Sequence, residues 1–396
     1  MTSRYGEKLA DLEGRGRLRI LHPLSRSQGC HVQYNGRQLL NLTSNDYLGL
    51  AGDAELRLRF YQGIEEGGDT GNFSLGAASS RLLTGDSLLA HSLEADLRQA
   101  YGHEAVLLFN SGYHANIGIL PALCSKNDLI LSDKLNHASI HDGLRLSSAR
   151  HKRFRHRDYE QLRSLLRNLR KDYDQVVIVS ESVFSMDGDV ADLQRLVELK
   201  KEFGAMLYLD EAHAVGLYGG QGLGKAEEAG VLADIDLLVG TFGKALASIG
   251  AFLCCREEIR NYLINHSRSF IFTTALPPVV LNWNRFVFRT MQTMAGPRQH
   301  LRQISEQLRK ELREKGISTG GNTNIVPVLI GDDSLALLQA QAMQEQGYLI
   351  FPVRPPAVPE GTARFRLSLS ADMQWQDLQA LPEFLAGLGN KGKGKV

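Results

Sequence analysis

Six short apolar runs between residues 105 and 254 limit the folds open to this chain more than any other feature of its sequence. Strands this apolar are typically buried on both faces, as in a mostly parallel sheet that helices cover. The sequence therefore predicts an α/β protein with such a sheet at its centre. The runs are Ala105–Phe109, Leu129–Leu131, Val176–Val179, Met206–Leu209, Leu237–Val239 and Ala251–Cys254.

Two segments around these runs carry clear helix signals. Ser87–Tyr101 repeats leucine at every fourth position and begins with a serine that can cap a helix. Asp192–Phe203 has the same kind of start, and Gly204 follows it as a stop signal. We expect helices over both segments.

The pattern changes after about residue 285, where a charged helical stretch leads into shorter strands. The predicted elements are a strand at Asn324–Ile330, a helix at Ser334–Gln346, and strands near Tyr348–Val353 and at Ala363–Ser370. Polar and apolar residues alternate from Arg364 to Ser370, which predicts a sheet exposed on one face. We therefore expect four parts: an N-terminal arm (1–45), a large domain (46–285), a small α+β domain (286–390) and a disordered tail (391–396).

Lys244 is the single charged residue in the nineteen-residue segment from Leu237 to Cys255. In apolar surroundings an ammonium group either reaches solvent from a turn or its pKa falls. A lysine held neutral near pH 7 is a nucleophile suited to reaction with a carbonyl group. The segment is long enough to span a membrane, but glycines flank the lysine, and we expect two buried strands joined by a turn.

The charge balance and the cysteines exclude several classes of function. A formal net charge of +1 provides no global field for nucleic acid or for an anionic membrane. The basic cluster Arg150–Arg157 is interpreted as a solvated surface strip. Four cysteines show neither metal-site spacing nor a disulfide framework, so no metal is expected. The N-terminus lacks the apolar core of a signal peptide, and the predicted location is the cytoplasm.

Polar residues follow several of the predicted strands, at the end of the sheet where ligands of open α/β proteins bind. The segment Asn110–Asn116 follows the first run, and it is either a phosphate-binding helix start or a plain connection. Asp210 and His213 follow the fourth run. His137 follows the second, where an imidazole either stacks on a flat cofactor or is a hydrogen-bonded loop residue.

A phosphate-loop ATPase is an alternative reading of part of this pattern. Asp210–His213 reads Asp-Glu-Ala-His, which also occurs at the magnesium-binding strand of nucleotide-driven helicases. Such enzymes need the loop G-x-x-x-x-G-K-[ST], and Gly219–Ala226 comes close to it. The segment ends in alanine instead of a hydroxyl residue and follows the acidic strand instead of preceding it, which disfavours this reading.

Taken together, the polar residues indicate pyridoxal 5'-phosphate (PLP). A buried carboxylate such as Asp210 can keep a pyridine nitrogen protonated, which makes the ring an electron sink. Lys244 supplies an amine for the aldehyde, and His137 an imidazole for the face of the ring. The turn at Asn110–Asn116 supplies N–H groups for the phosphate.

Six motifs in order along the chain resemble the α-oxoamine synthases, a family of PLP enzymes with the aspartate-aminotransferase-like fold (fold type I). The likeness extends from about residue 19 to about residue 388. The motifs are Ser44–Leu50, Asn136–Ser139, Ser185–Asp189, Asp210–His213, Thr241–Lys244 and Phe272–Pro278. The fold implied is a large domain around a mostly parallel sheet with a smaller α+β domain after it.

The resemblance implies a role for each matching residue. Lys244 would bind the cofactor aldehyde and move the α-proton, with Asp210 on the pyridine nitrogen and His137 against the ring. The implied catalytic residues are Lys244, His137, Asp210 and His213. The implied cofactor-binding residues are Gly112, Tyr113, His137, Ser185, Asp210, His213, Thr241, Lys244, Thr273 and Thr274. The implied substrate-binding residues are Arg19, Asn45, His137, Ala357 and Arg366.

Within the family, the chain resembles the branch that condenses L-alanine with a pimeloyl thioester in biotin synthesis. Arg354-Pro355-Pro356 fits that branch, and Gly85-Asp86 stands where glycine-using relatives usually have Gly-Thr. A sister enzyme that uses glycine or serine with another acyl thioester is the nearest alternative. The resemblance also implies a homodimer in which Thr273 or Thr274 reaches the phosphate of the neighbouring subunit.

Two departures from the family pattern concern the acyl substrate. Asn72–Ser79 replaces a more glycine-rich run, and Ala357 stands where a substrate-contacting threonine is often found. The cofactor positions are unaffected. The chain length of the acyl group and its carrier, coenzyme A or a carrier protein, stay open.

Overall fold

A computed structural model of the chain describes residues 3–25, 27–65 and 69–392. The chain divides into two compact units, and each is described by itself. The first unit comprises Met1–Ala54, Ser185–Asp189 and Gln299–Val396, and the second comprises Glu55–Phe184 and Val190–Arg298.

The strands of the described residues are β1 Ser27–Gln28, β2 His31–Tyr34, β3 Arg37–Asn41, β4 Ala105–Phe109, β5 Leu129–Asp133, β6 Arg150–Phe154, β7 Val176–Glu181, β8 Met206–Asp210, β9 Leu237–Thr241, β10 Ala251–Cys255, β11 Ile325–Gly331, β12 Tyr348–Leu349, β13 Pro352–Val353 and β14 Ala363–Ser368. The helices are α1 Arg4–Gly14, α2 Ala54–Glu65, α3 Leu88–Tyr101, α4 Gly112–Leu123, α5 Ala138–Leu146, α6 Tyr159–Leu169, α7 Leu193–Phe203, α8 Lys225–Glu228, α9 Glu257–His266, α10 Arg268–Ile271, α11 Pro278–Gln292, α12 Ala295–Glu314, α13 Asp333–Glu345, α14 Trp375–Leu378 and α15 Leu381–Gly392. Short 3-10 helices lie at Thr70–Phe73, Arg170–Asp172 and Leu232–Asp234.

A seven-stranded sheet forms the centre of the second unit, in the order β4-β10-β9-β8-β7-β5-β6. Strand β10 runs antiparallel to both of its neighbours, and the other neighbouring pairs are parallel. Every residue of β4, β5, β7, β9 and β10 is buried. The prediction of a mostly parallel sheet built from the apolar runs is confirmed, because these strands have protein on both faces.

Helices α3 and α7 form where the sequence predicts them. The Ser87 hydroxyl accepts a hydrogen bond from the backbone N–H of Ala90, which caps α3. Asp192 caps α7 in the same way, and the helix ends at Gly204 in the left-handed conformation, with φ of 58°. In both cases the local sequence signals agree with the fold.

Strand β6 was not among the predicted strands. It lies at the edge of the sheet, parallel to β5, within the cluster interpreted as a solvated strip. The side chains of Arg150–Arg153 are exposed, so their solvation is confirmed, and Phe154 is buried. An edge strand of charged side chains has no apolar run by which sequence reasoning could find it.

The first unit contains two small sheets, of order β1-β2-β3-β12 and β11-β14-β13. Residues of the predicted arm pair with residues of the predicted small domain, because β3 and β12 are parallel neighbours with Leu40 opposite Tyr348. Helix α15 extends through Gly392, two residues into the predicted tail, and residues 393–396 lie outside the described residues.

The prediction that β14 is exposed on one face is wrong. Five of its six residues are buried and Arg366 is half-buried. The polar side chains have partners: Arg364 forms an ion pair with Asp187, and Arg366 donates to the Ser185 carbonyl oxygen. Arginine can be buried when its N–H groups are satisfied in this way, so alternation alone did not reveal the buried polar face.

Across residues 3–25, 27–65 and 69–392, no helix combines the length and apolar character that a membrane span requires. The nineteen-residue segment around Lys244 forms β9, a connection and β10 instead. The prediction of two buried strands joined by a turn is confirmed.

Candidate active site

Lys244 lies on the connection between β9 and β10, and hydrogen bonds at the two ends of that connection hold it closed. The Thr241 hydroxyl donates to the Gly250 carbonyl oxygen at 2.9 Å, and the Gly243 N–H donates to the Thr241 hydroxyl at 3.1 Å. Gly250 has φ of 115°, a conformation that side chains rarely adopt. Lys244 itself is half-buried. The turn therefore presents an amine at a fixed place beside the sheet.

Asp210 ends strand β8 and is almost fully buried, with 5% of its surface exposed. One carboxylate oxygen accepts from Asn116 Nδ2 at 2.9 Å, and the other accepts from the Ala212 N–H at 2.9 Å. A buried carboxylate needs such donors to remain charged. Its fixed position and its hydrogen bonds suit it to hold a protonated ring nitrogen.

Asn116 is a site residue that sequence reasoning did not assign. It is 2% exposed, donates to the Ser139 hydroxyl and to Asp210, and accepts from the Tyr208 hydroxyl. The signal in the sequence was an amide side chain in a mostly apolar helix, α4. A buried amide needs hydrogen-bond partners. The identity of those partners depends on the packing of α4 against β8 and α5.

His137 caps helix α5, and its Nδ1 lies 2.7 Å from the Ser139 hydroxyl. The residue is exposed, which leaves a ring face accessible to a flat ligand. Partial desolvation lowers the pKa of His137, while the charge of Asp210 raises it and that of Lys244 lowers it. A neutral imidazole results, which suits stacking better than an ion. His213, three residues after Asp210, is buried.

Glu181 is a second residue that sequence reasoning missed. It ends β7 directly opposite Asp210 in the parallel register and is 3% exposed. Burial raises its pKa well above the usual range, the nearby charge of Asp210 adds to this, and Lys244 opposes it. Glu181 also accepts a hydrogen bond from the His137 N–H, which links it to the residue predicted to lie against the ring.

The predicted phosphate position is the start of helix α4. The N–H groups of Gly112 and Tyr113 begin this helix and have no acceptor within it, and the Ser111 hydroxyl caps the same first turn by accepting from the His114 N–H. A Cβ on Gly112 would meet nothing within 4 Å, so the backbone there is open to a ligand. Thr273 and Thr274 lie near in the same unit, where Asn110 Nδ2 donates to the Thr273 hydroxyl and to the Thr274 carbonyl oxygen.

Two of the predicted substrate residues form one cluster in the first unit. The side-chain oxygen Oδ1 of Asn45 accepts from the Tyr47 hydroxyl at 3.0 Å, and the Tyr47 hydroxyl accepts from Arg366 at 2.9 Å. Arg366 also donates to the Ser368 hydroxyl and to the carbonyl oxygen of Ser185. A guanidinium group held by neutral partners keeps its charge and further N–H groups for a carboxylate.

Two more of the predicted substrate residues, Arg19 and Ala357, lie around a different turn of the first unit. Arg19 donates to the Pro355 carbonyl oxygen at 3.1 Å, and the Ala357 N–H donates to the Arg354 carbonyl oxygen at 3.2 Å. Both residues are exposed. Arg19 and Arg354 border an open cavity of about 750 Å³ in this unit.

Asp86, part of the motif that favoured alanine, is held by charge partners. Its carboxylate accepts from Arg81 Nε at 2.7 Å and from His91 Nε2 at 2.6 Å. The adjacent Gly85 has no room for a side chain, since a Cβ would lie 2.2 Å from the Ser79 carbonyl oxygen. The Gly85-Asp86 pair thus fixes the shape of a loop.

The segment Gly219–Ala226 does not form a phosphate loop. The N–H groups of Lys225 and Ala226 donate to the buried carboxylate of Glu211, and those of Gln221 and Leu223 donate to Glu227. The Lys225 ammonium pairs with Glu228. Backbone donors that would cradle a phosphate are satisfied by carboxylates of the chain itself, which would also repel the anion.

Comparison with known proteins decides between a PLP enzyme and a phosphate-loop ATPase. The family model "Aminotransferase class I and II" matches residues 37–385. The chain belongs to this family. A relative from Chlorobaculum parvum, 8-amino-7-oxononanoate synthase, is 50% identical over 377 residues, which cover 95% of this chain and 96% of the relative.

Solved structures of related enzymes have the same fold. Serine palmitoyltransferase of Sphingomonas wittichii superposes with a TM-score of 0.89 at 32% identity, covering 98% of this chain and 96% of that one. The 8-amino-7-oxononanoate synthase of Francisella tularensis gives 0.75 at 25% identity, covering 90% and 99%. A structure of SPT with PLP gives 0.88 at 29% identity, covering 98% and 99%. The predicted fold class and PLP as the cofactor are confirmed.

The residues of the second unit fit PLP. A buried carboxylate, a lysine on a fixed turn, an accessible imidazole and an open helix start occur in one unit, at or beyond the ends of its strands. Each matches one part of the cofactor: ring nitrogen, aldehyde, ring face and phosphate.

Proposed function

We propose that the chain condenses L-alanine with a pimeloyl thioester, releasing CO₂ and the free thiol and giving 8-amino-7-oxononanoate for biotin synthesis. The observation that carries the choice of reaction is 50% identity to a synthase of that name across 95% of the chain. The buried Asp210 and the turn of Lys244 supply the two groups that such chemistry needs.

PLP, when bound, supplies an aldehyde for the amino group and a ring that withdraws electrons from the α-carbon. Asp210, with both carboxylate oxygens hydrogen-bonded, holds the proton on the ring nitrogen. Lys244 would bind the aldehyde and, once the amino group of alanine has displaced it, would move a proton at the α-carbon. The N–H groups of Gly112 and Tyr113 bind the phosphate.

Several assignments rest on matching positions in the family. His137 lies against the ring and the substrate, and Ser185 and His213 bind the ring hydroxyl. Thr241 contributes to the phosphate site and also holds the turn of Lys244. Arg366 binds the amino-acid carboxylate, supported by its charge and by partners that are all neutral.

For the substrates, Asn45 accompanies Arg366 at the amino-acid carboxylate. Arg19 and Ala357 contact the acyl chain. The large open cavity beside Arg19 supports this assignment, since a long acyl group needs such space.

A sister activity with serine is the second candidate, because serine palmitoyltransferase is close in structure, with a TM-score of 0.89. Sequence favours alanine, since the identity is 50% with the synthase and 32% with the transferase. A pocket for one methyl group gains only about 1–3 kcal/mol over glycine, so selectivity against glycine should be moderate. Serine should be disfavoured when its hydroxyl is buried without a partner.

The test is the release of labelled CO₂ from carboxyl-labelled L-alanine, glycine and L-serine at equal concentration, with and without pimeloyl thioester. L-Alanine should give the fastest thioester-dependent release. Faster release from glycine or serine would overturn the choice of amino acid and leave the cofactor assignment standing.

The proposed assembly is a homodimer with shared active sites. Several large apolar side chains of the second unit are exposed: Phe272, next to Thr273 in sequence, at 71%, Leu83 at 78% and Leu88 at 86%. Exposed apolar side chains of this size suit a protein interface. The proposed location is the cytoplasm, consistent with four cysteines that are all unpaired.

A further inference from the structure

The edge of the central sheet carries a concentration of positive charge that the proposed reaction does not use. Between Lys134 and Arg157 the chain has seven lysine and arginine residues and one carboxylate, Asp142. Over its whole length the chain is balanced, with 45 basic and 44 acidic residues. We call Arg145, Arg150, Lys152, Arg153 and Arg155 the basic edge; all five are exposed.

Most of this charge has no counterion within the unit. Arg155 pairs with Asp158 at 2.6 Å, and Arg145 with Asp142 at 3.2 Å. Within the described part of the chain, no carboxylate lies within ion-pairing distance of Arg150, Lys152 or Arg153. Like charges this close attract an anionic surface and repel a cationic one.

Protection of an exposed strand edge is the simpler explanation for charges on β6, since lysine and arginine prevent edge-to-edge association. It does not explain Arg145 and His141, which belong to helix α5. These two residues line a cavity of about 270 Å³ together with His151 and Arg153 of the strand and with Asp142, the ion-pair partner of Arg145. Helix α5 and strand β6 therefore both place basic side chains around this cavity.

Helix α5 connects this surface with the candidate active site. His137 caps the helix, and His141 and Arg145 follow at intervals of four residues, on one face. The distance along the axis from His137 to Arg145 is about 12 Å. Leu146, the last residue of the helix, is 65% exposed and adds an apolar surface.

We propose that the basic edge docks an acidic carrier protein that presents the pimeloyl thioester. This inference rests on the proposed function, and it specifies a carrier protein as the carrier of the pimeloyl group in that reaction. The positive charge covers both faces of β6, which is about 16 Å long, and the end of α5. This area is larger than the area that a single phosphate group would occupy. A folded acidic surface can meet all of it and the exposed Leu146 together.

The test compares two thioesters, pimeloyl-coenzyme A and the pimeloyl thioester of an acidic acyl carrier protein, with the holoenzyme. The variant is Arg150→Glu with Lys152→Glu, which keeps the strand edge charged and so retains protection against edge pairing. The matched control is Lys310→Glu with Arg313→Glu, two exposed residues of helix α12.

The expected result is a KM for the carrier-protein thioester that rises about tenfold or more, with kcat unchanged and less dependence on salt. The KM for pimeloyl-coenzyme A and all parameters of the control should match those of the unaltered enzyme. Loss with both thioesters, or no change with the carrier-protein thioester, would overturn the docking surface.

Two further outcomes separate this inference from its premise. An enzyme that uses only the coenzyme A thioester refutes the docking partner and leaves the proposed function standing. An enzyme that uses neither thioester refutes the proposed function, and the inference falls with it. Binding of a fluorescent DNA duplex or of anionic phosphatidylserine vesicles that the variant loses, with carrier-protein kinetics unchanged, assigns the basic edge to another partner.

Discussion

At the scale of residues, the groups proposed to carry the chemistry have a signal in the sequence, and the groups that hold them do not. Asp210 and Lys244 stand out in sequence because each is a charge beside an apolar run. Asn116 and Glu181 do not, because their importance arises only when α4 and β7 are packed beside β8. An amide or carboxyl group in sequence does not specify which buried partner satisfies it.

Replacement of Asp210 by asparagine should lower kcat by about 10²–10³-fold or more, because the ring nitrogen loses the charge that keeps it protonated. The fold and the cofactor content should persist. Steady-state kinetics and cofactor absorbance measure both. The matched control is Asp192→Asn, since asparagine caps a helix as well as aspartate does. Near-normal turnover of Asp210→Asn would refute the role.

At the scale of elements, the accuracy of prediction followed burial. Strand β4 was predicted with its observed bounds because both faces are buried and every residue is apolar. Strand β6 was missed because its charged side chains face solvent. Strand β14 was found, but its burial was misjudged, since arginine with internal partners resembles exposed arginine in sequence.

Glu211 shows how one buried carboxyl group controls an element. It is fully buried and accepts from the first N–H groups of helix α8, and burial raises its pKa from 4.5 to about 7. A carboxyl group whose pKa is higher in the folded than in the unfolded state stabilises the fold at pH values below its unfolded-state pKa. That stabilisation is lost as the pH rises through the folded-state pKa. The protein should thus lose about 3 kcal/mol from this group between about pH 4.5 and pH 7.

Comparison with Glu211→Gln isolates the effect, since glutamine does not titrate. Urea unfolding of both proteins at a series of pH values measures their free energies of unfolding. The difference between the unaltered protein and the variant should change by about 3 kcal/mol, because the unaltered protein becomes less stable as the pH rises. A difference independent of pH would contradict the raised pKa.

At the scale of the whole molecule, the sequence indicated the fold family because six motifs occur in the expected order. The division into two units was harder to predict from the sequence, because the first unit combines residues from both ends of the chain. The pairing of β3 with β12 is one of the contacts that bring these ends together, and such short strands carry little sequence signal. The proposed homodimer likewise depends on surfaces that the sequence does not reveal.

Mixing two inactive variants tests the shared site. Lys244→Ala and the double variant Thr273→Ala, Thr274→Ala should each be inactive alone. Mixed dimers should regain activity, because one of their two sites carries both defects and the other carries neither. Subunit exchange is verified with differently tagged chains. Exchange without recovery of activity would count against a site built from two subunits.

The most direct test of the central claim is the covalent trapping of the cofactor. Sodium borohydride should reduce the bond between PLP and the enzyme, and peptide mass spectrometry should place the label on Lys244. Lys244→Ala should take up no label and show no turnover. Lys225, whose ammonium pairs with Glu228, is the internal control and should stay unlabelled. Label on Lys225, or turnover without Lys244, would contradict the account.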